Sequence, residues 1–229
     1  MRRFEEELEE LKNKLLEMSG LVESAVYRSV LVLSEKSRDQ AQEVLKNERR
    51  INQMEIEIDD AATSLLALQQ PMATDLRFLT AAIKINSDLE RMGDLAVNIV
   101  ERALSLMEMA TVKPLIDIPH MAKLVESMVR KSLDAFVGKD AEMARSVLAS
   151  DDAVDDLRDT IYQELIHTMQ DDPQATPQCV NLMFIARNLE RIADHATNIA
   201  EDVLFLVHGI DVRHHSEKPP APVPENNPQ

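Results

Sequence analysis

Residues 88–101 read Asp88-Leu89-Glu90-Arg91-Met92-Gly93-Asp94-Leu95-Ala96-Val97-Asn98-Ile99-Val100-Glu101, and residues 188–201 read Asn188-Leu189-Glu190-Arg191-Ile192-Ala193-Asp194-His195-Ala196-Thr197-Asn198-Ile199-Ala200-Glu201. Leu, Glu, Arg, Asp, Ala, Asn, Ile and Glu return in the same order and spacing. On an α-helix each residue advances about 100°, so Glu90, Asp94, Asn98 and Glu101 fall near 0°, 40°, 80° and 20° of one face. Glu190, Asp194, Asn198 and Glu201 repeat that stripe. Like charges at i,i+4 destabilise an isolated helix by a few tenths of a kcal/mol. A chain that accepts this cost twice, at one spacing, invites a cation to the stripe.

The surrounding sequence has to supply the core. Of its 229 residues, 45 % are hydrophobic but only 3 % aromatic, with no Trp and four Gly. Leu, Ile, Val, Ala and Met on helices must therefore fill it, since the residues of tight hairpins and sheet turns are scarce. No proline precedes Pro71, which leaves room for two long uninterrupted helices. The fold class is all-α.

Apolar residues at Leu8, Leu11, Leu15, Met18, Val22, Ala25, Val26 and Leu33 predict a first helix over 4–36. Ser37 and Gln40 form a capping box for a second, ending at Gln70 before Pro71. A third runs from Thr74 to about Val112 and carries the first stripe. Lys113-Pro114 and Ile118-Pro119 mark a break, because a residue preceding proline avoids the helical region. Leu21-Val22-Glu23-Ser24-Ala25-Val26 then returns as Leu124-Val125-Glu126-Ser127-Met128-Val129, an offset of 103. Pro71-Met72-Ala73-Thr74 returns as Pro173-Gln174-Ala175-Thr176 at offset 102, and the acidic stretch returns at 100. This period is far longer than that of a solenoid. The expected architecture is two tandem three-helix bundles, residues 1–113 and 118–210, followed by a disordered Pro-rich tail over 211–229. Gly138-Lys139-Asp140 should turn into the fifth helix. Thr176-Pro177 should cap and begin the sixth, and Gly209 should end it.

A hairpin pivoting near residue 72 brings Glu90 level with about residue 54 and Asp94 with about 50. There the second helix presents Glu48, Asn52, Glu55 and Asp59 on one stripe. In the second half Glu190 and Asp194 come level with about 158 and 154, near Asp151, Asp155 and Asp159. Two acidic stripes at one height suit hard, oxygen-loving cations, with Mg, Mn, Fe or Zn as candidates. The competing reading is a solvated charged face whose Arg91 and Arg191 make surface ion pairs. Asn98 and Asn198 read as polar boundary residues, and the methionines as core filler. His195 has Leu95 as its repeat counterpart and is no symmetric ligand.

Other chemistry is disfavoured. Glu164 and His167 form a lone Glu-x-x-His, whereas a ferritin-like di-iron site needs two. No Gly-rich phosphate loop and no Cys-His or Ser-His arrangement stands out, so the chain is not expected to be an enzyme. The net charge of −16 opposes nucleic-acid binding. Glu5, Glu6, Glu7, Glu9 and Glu10 follow Met1-Arg2-Arg3 where a secretory signal would need an apolar run. The single cysteine, Cys179, fits a reducing compartment, and a cytoplasmic location is expected.

The doubled segments Asn86–Asp94 and Ala186–Glu201, with the ending Val207-His208-Gly209-Ile210-Asp211-Val212-Arg213-His214, resemble the PhoU family over about residues 4–215. The resemblance implies two three-helix bundles whose acidic Glu/Asp-x-x-x-Asp motifs bind metal in some members. Here Glu90/Asp94, Asp151/Asp155 and Glu190/Asp194 match in full, whereas Glu48 is paired with Asn52. The second cluster is therefore expected to bind a divalent cation at least as well as the first. The resemblance also implies a negative regulator of the phosphate regulon. Such a protein acts as an adaptor between the high-affinity phosphate ABC transporter ATPase and a phosphate-sensing histidine kinase. A homodimer, held at the membrane only through its partners, is expected. The alternative from the residues alone is a carboxylate-rich metal-binding bundle for cation storage or redox.

Overall fold

The computed structural model describes residues 2–69, 71–109 and 117–209. Its helices are α1 (Arg2–Glu35), α2 (Arg38–Gln69), α3 (Ala73–Met107), α4 (Asp117–Gly138), α5 (Ala141–Leu148), α6 (Asp151–Asp171) and α7 (Thr176–His208), with a 3₁₀ turn at Pro173–Ala175. All described regular structure is helical, and α5 and α6 together take the place of the expected fifth helix. The two halves repeat their turns as well as their helices. Lys36 and Lys139, 103 residues apart, both adopt the left-handed region with φ of 54° and 51°. Each is followed by a capping residue. Ser37 Oγ accepts from Gln40 N at 3.4 Å, and Asp140 Oδ1 accepts from Glu142 N and Met143 N at 3.0 Å.

Three local expectations need correction. Pro119 does not break the chain but sits inside the first turn of α4, where its missing N–H would have had no partner. Its predecessor Ile118 is buried in that turn. Pro114 and the tail over 211–229 lie outside the described residues. Thr176 is the first residue of α7 rather than its cap, and its hydroxyl donates back to Pro173 O at 2.8 Å. The preceding 3₁₀ turn, capped by Asp172 on Gln174 N, feeds directly into the helix. The expected fifth helix is also interrupted at Ala149 and Ser150. Ser150 Oγ donates to Ser146 O, a side-chain bond that competes with the helical ladder. Asp151 and Asp152 then open α6, where the N-terminal dipole favours them. Gly209 closes α7 in the left-handed conformation, φ 70°, as its sequence position predicts.

The first bundle packs α1, α2 and α3 on one another, and the second packs α4, α5 and α6 around α7. Their shared seam is α3 against α7, the most extensive helix pairing in the molecule. Lys84 meets Asp202 at 2.9 Å and Asp88 meets His195 at 2.7 Å, while Arg102 lies 4.9 Å over the Phe184 ring. Rising numbers on α3 thus meet falling numbers on α7, so the two run antiparallel. At the 100-residue offset Lys84 corresponds to Phe184 and Asp202 to Arg102. The ion pair on one flank and the cation–π contact on the other are therefore pseudo-symmetric mates. Phe78 stacks on Phe136 at 6.2 Å and ties α3 to α4. Met18, Met54, Met92, Met121 and Met128 are buried among Leu, Ile, Val and Ala in one continuous core.

Candidate functional site

The acidic stripe of α3 faces α2. Asn86, buried on α3, donates from Nδ2 to Glu55 O at 2.9 Å and to Asp59 Oδ1 at 3.0 Å. This bond fixes the register of the two helices and sets Glu90 one turn further along, at the height of Glu55 and Asn52. Burial first, then the nearby charges of Asp94 and Glu55, holds the Glu90 carboxyl above the ordinary carboxylate range. On α2, Asn52 Nδ2 donates to Glu48 Oε1 at 2.8 Å. The other amide atom, Asn52 Oδ1, is buried and accepts nothing, as is Asn86 Oδ1. The ion pairs of α2 go elsewhere, Lys14 and Arg50 to Glu57 and Arg50 to Glu17. Among the described residues no ion pair reaches Glu48, Glu55, Glu90 or Asp94.

The second stripe meets α6 at the height expected from the hairpin. Burial, then Asp194, Asp155, Asp152 and Glu190, raises the Asp151 carboxyl. Burial and Asp155 raise that of Asp194, against the partial opposition of His195, Arg158 and Arg191. Asp151, Asp155, Glu190 and Asp194 thus share one neighbourhood. They do not share it alone. Arg158 Nη1 donates to Glu190 Oε1 at 2.7 Å and to Asp155 Oδ1 at 3.0 Å, and Nη2 donates to Asp159 Oδ1 at 2.9 Å. Sequence reasoning passed over this arginine because it sits one turn beyond the acidic motif. A comparison at the 103-residue offset would have found it, since Glu55 holds its place in the first half.

Both pairs of stripes are juxtaposed but splayed. Among the described residues no three His, Cys, Asp or Glu side chains converge as a ready-made metal cage. The donor sets nonetheless differ in fit. The first offers carboxylate oxygens and an orphaned amide oxygen, and its nearest positive charge, Arg91, acts on Glu90 without pairing to it, a set matched to a hard divalent ion. The second has two of its four carboxylates committed to a guanidinium, and does not fit one. Glu164 and His167 lie in the C-terminal half of α6. Among the described residues no helix is long and apolar enough to cross a membrane.

Comparison with known proteins follows this two-fold pattern. The PhoU domain matches residues 15–103 and again 118–203. A Pseudomonas aeruginosa relative, named phosphate-specific transport system accessory protein PhoU homolog, is 42 % identical over 212 residues, covering 92 % of this chain and 88 % of its own. An Aquifex aeolicus relative of the same name is 39 % identical, covering 91 % and 94 % respectively. The crystal structure of PhoU from Pseudomonas aeruginosa superposes with a TM-score of 0.88 at 40 % identity, over 90 % of this chain and all of that one. The phosphate transport system regulatory protein PhoU from Streptococcus pneumoniae gives 0.84 at 32 % identity, over 91 % and 99 %.

Proposed function

The chain belongs to the PhoU family, and from that premise we propose that it is a cytoplasmic negative regulator of the phosphate regulon and a modulator of phosphate uptake. It acts as an adaptor between the high-affinity phosphate ABC transporter ATPase and a phosphate-sensing histidine kinase. The observation that carries this reading is the similarity across both repeats to relatives named as accessory proteins of phosphate-specific transport. The helical faces support it too. They offer long, charged surfaces for protein contact.

Deleting the gene is expected to leave phosphate-starvation genes expressed when phosphate is plentiful, and the ATPase is expected to co-purify with the chain from membranes. Normal repression in the deletion strain, with no ATPase recovered from replete or starved cells, would refute the adaptor role.

Within this role the first cluster takes a divalent cation. Glu48, Glu55, Glu90 and Asp94 would hold it, with Asn52 Oδ1 as a neutral donor. The ion would offset the burial and the repulsion from Asp94 and Glu55 that now hold the Glu90 carboxyl high, and would tie α2 to α3.

A further inference from the structure

The two acidic clusters are copies of one design that differ in who supplies the positive charge. Position by position, Glu48 corresponds to Asp151, Asn52 to Asp155, Glu55 to Arg158, Glu90 to Glu190 and Asp94 to Asp194. The largest change is the reversal of sign at 55 and 158. The Arg158 side chain is only 24 % exposed and points into the cluster, bridging Asp155 on its own helix to Glu190 on α7. Burial alone would lower its basicity, but the pairings with Asp159, Asp155 and Glu190 hold it above even its ordinary high value, so it is charged throughout the accessible pH range. A guanidinium presents its donors as a rigid planar fork, which lets one arginine tie two carboxylates on different helices.

We propose that Arg158 is the resident cation of the second repeat, and that it closes this cluster to divalent metal. A metal ion entering there would meet a fixed positive charge. It would find Asp155 and Glu190 already hydrogen-bonded to the guanidinium, which leaves only Asp151 and Asp194 without such a bond, and Asp194 still feels its charge. The link between α6 and α7 is therefore permanent and independent of metal supply, and the two repeats are not equivalent ligand sites. This holds whether or not the first cluster takes a metal, and whether or not the adaptor role is correct.

The test uses the full-length chain, stripped with a chelator, dialysed against Mn²⁺ and assayed for bound manganese and for the melting shift that Mn²⁺ produces. Asp151→Asn with Asp194→Asn removes the two acids that make no hydrogen bond to Arg158 and relieves repulsion, so this variant should fold. It is expected to hold as much Mn²⁺ as the wild type, and a loss would overturn the proposal. Arg158→Gln should hold about one more Mn²⁺ per chain than the wild type, with a larger melting shift. A folded Arg158→Gln with no added metal would equally overturn the proposal. If that variant fails to fold, the asparagine pair alone decides. A wild type that binds no Mn²⁺ while Arg158→Gln binds it would sink the first-cluster reading and uphold this one.

Discussion

His195 Nδ1 stands 2.7 Å from Asp88 Oδ1, joining the two repeats through a nearly buried pair. The positions equivalent to it hold Asn188 and Leu95. Asn198 Nδ2 adds a weaker bond to the same carboxylate oxygen at 3.3 Å. Here pseudo-symmetry has been exchanged for a polar connection across the α3–α7 seam.

Replacing His195 by its counterpart, His195→Leu, should leave Asp88 with Asn198 as its remaining partner. An under-satisfied buried polar group costs about 1–3 kcal/mol. Adding Asp88→Asn, which recreates the other side of the pseudo-dyad, should recover much of that loss. Denaturant unfolding of both singles and the double should give a coupling of about 0.5–3 kcal/mol. Additive effects would show that the pair does not interact.

The raised carboxyls impose a pH dependence of unusual sign. Glu90, Asp151 and Asp194 bind protons more tightly when folded than when unfolded. Between the ordinary carboxylate range near about 4 and their raised values, the folded state therefore holds more protons. Their contribution to stability falls as pH rises through that window and stays low above it. Below about 4 both states are protonated and the penalty is gone. Glu90→Gln, assayed without divalent metal, should thus be more stable than the wild type at neutral pH, with the advantage shrinking toward pH 4. Melting curves across that range check it, and an equal effect at every pH would contradict it.

Gly93 illustrates matched packing between the repeats. A Cβ placed there would lie 3.2 Å from Ile51 Cδ1, so a methyl fits only if the isoleucine gives way. The second repeat has Ala193 where the first has Gly93, and Val154 where it has Ile51. Gly93→Ala alone should be close to neutral, since about 1 kcal/mol of helix propensity is set against crowding. With Ile51→Val, which removes the offending methyl, the double variant should be more stable than Ile51→Val alone by roughly 1 kcal/mol. Thermal melts of the three variants decide it.

Metal at the first cluster has its own test. Glu90→Gln with Asp94→Asn keeps side-chain size and removes two charges. Manganese content should fall, and the Mn²⁺-dependent rise in melting temperature should vanish. For scale, a ligand at a hundred times its Kd contributes about 2.7 kcal/mol. Unchanged metal content would leave the first stripe a solvated face.

Much of this architecture could be read from the sequence because its signals are local. The 3.6-residue spacing of Leu11, Leu15, Met18 and Val22, the cap at Ser37, the turn over 138–140 and the stop at Gly209 are each set within a few residues. The facing heights of Glu190 and residue 158 followed from helical rise alone. What escaped depends on tertiary context or on competing local bonds. Nothing next to His195 announces Asp88, 107 positions away. The interruption at Ala149 and Ser150 reflects a serine hydroxyl competing with the backbone. Arg158 looks like an ordinary surface residue until Asp155 and Glu190 are seen to close on it.

The α3–α7 seam bears on how the molecule comes apart. Leu89, Met92, Ala96 and Ile99 of α3 and Leu189, Ile192, Ala196 and Ile199 of α7 belong to one uninterrupted buried cluster. Melting either repeat by itself would strip the other of its largest helix contact and expose that apolar face to water. The duplicated halves should therefore lose structure in a single cooperative step, with calorimetric and van't Hoff enthalpies in agreement. A chain cut after α3 should be sticky, pairing with itself to cover the face that α7 would have covered.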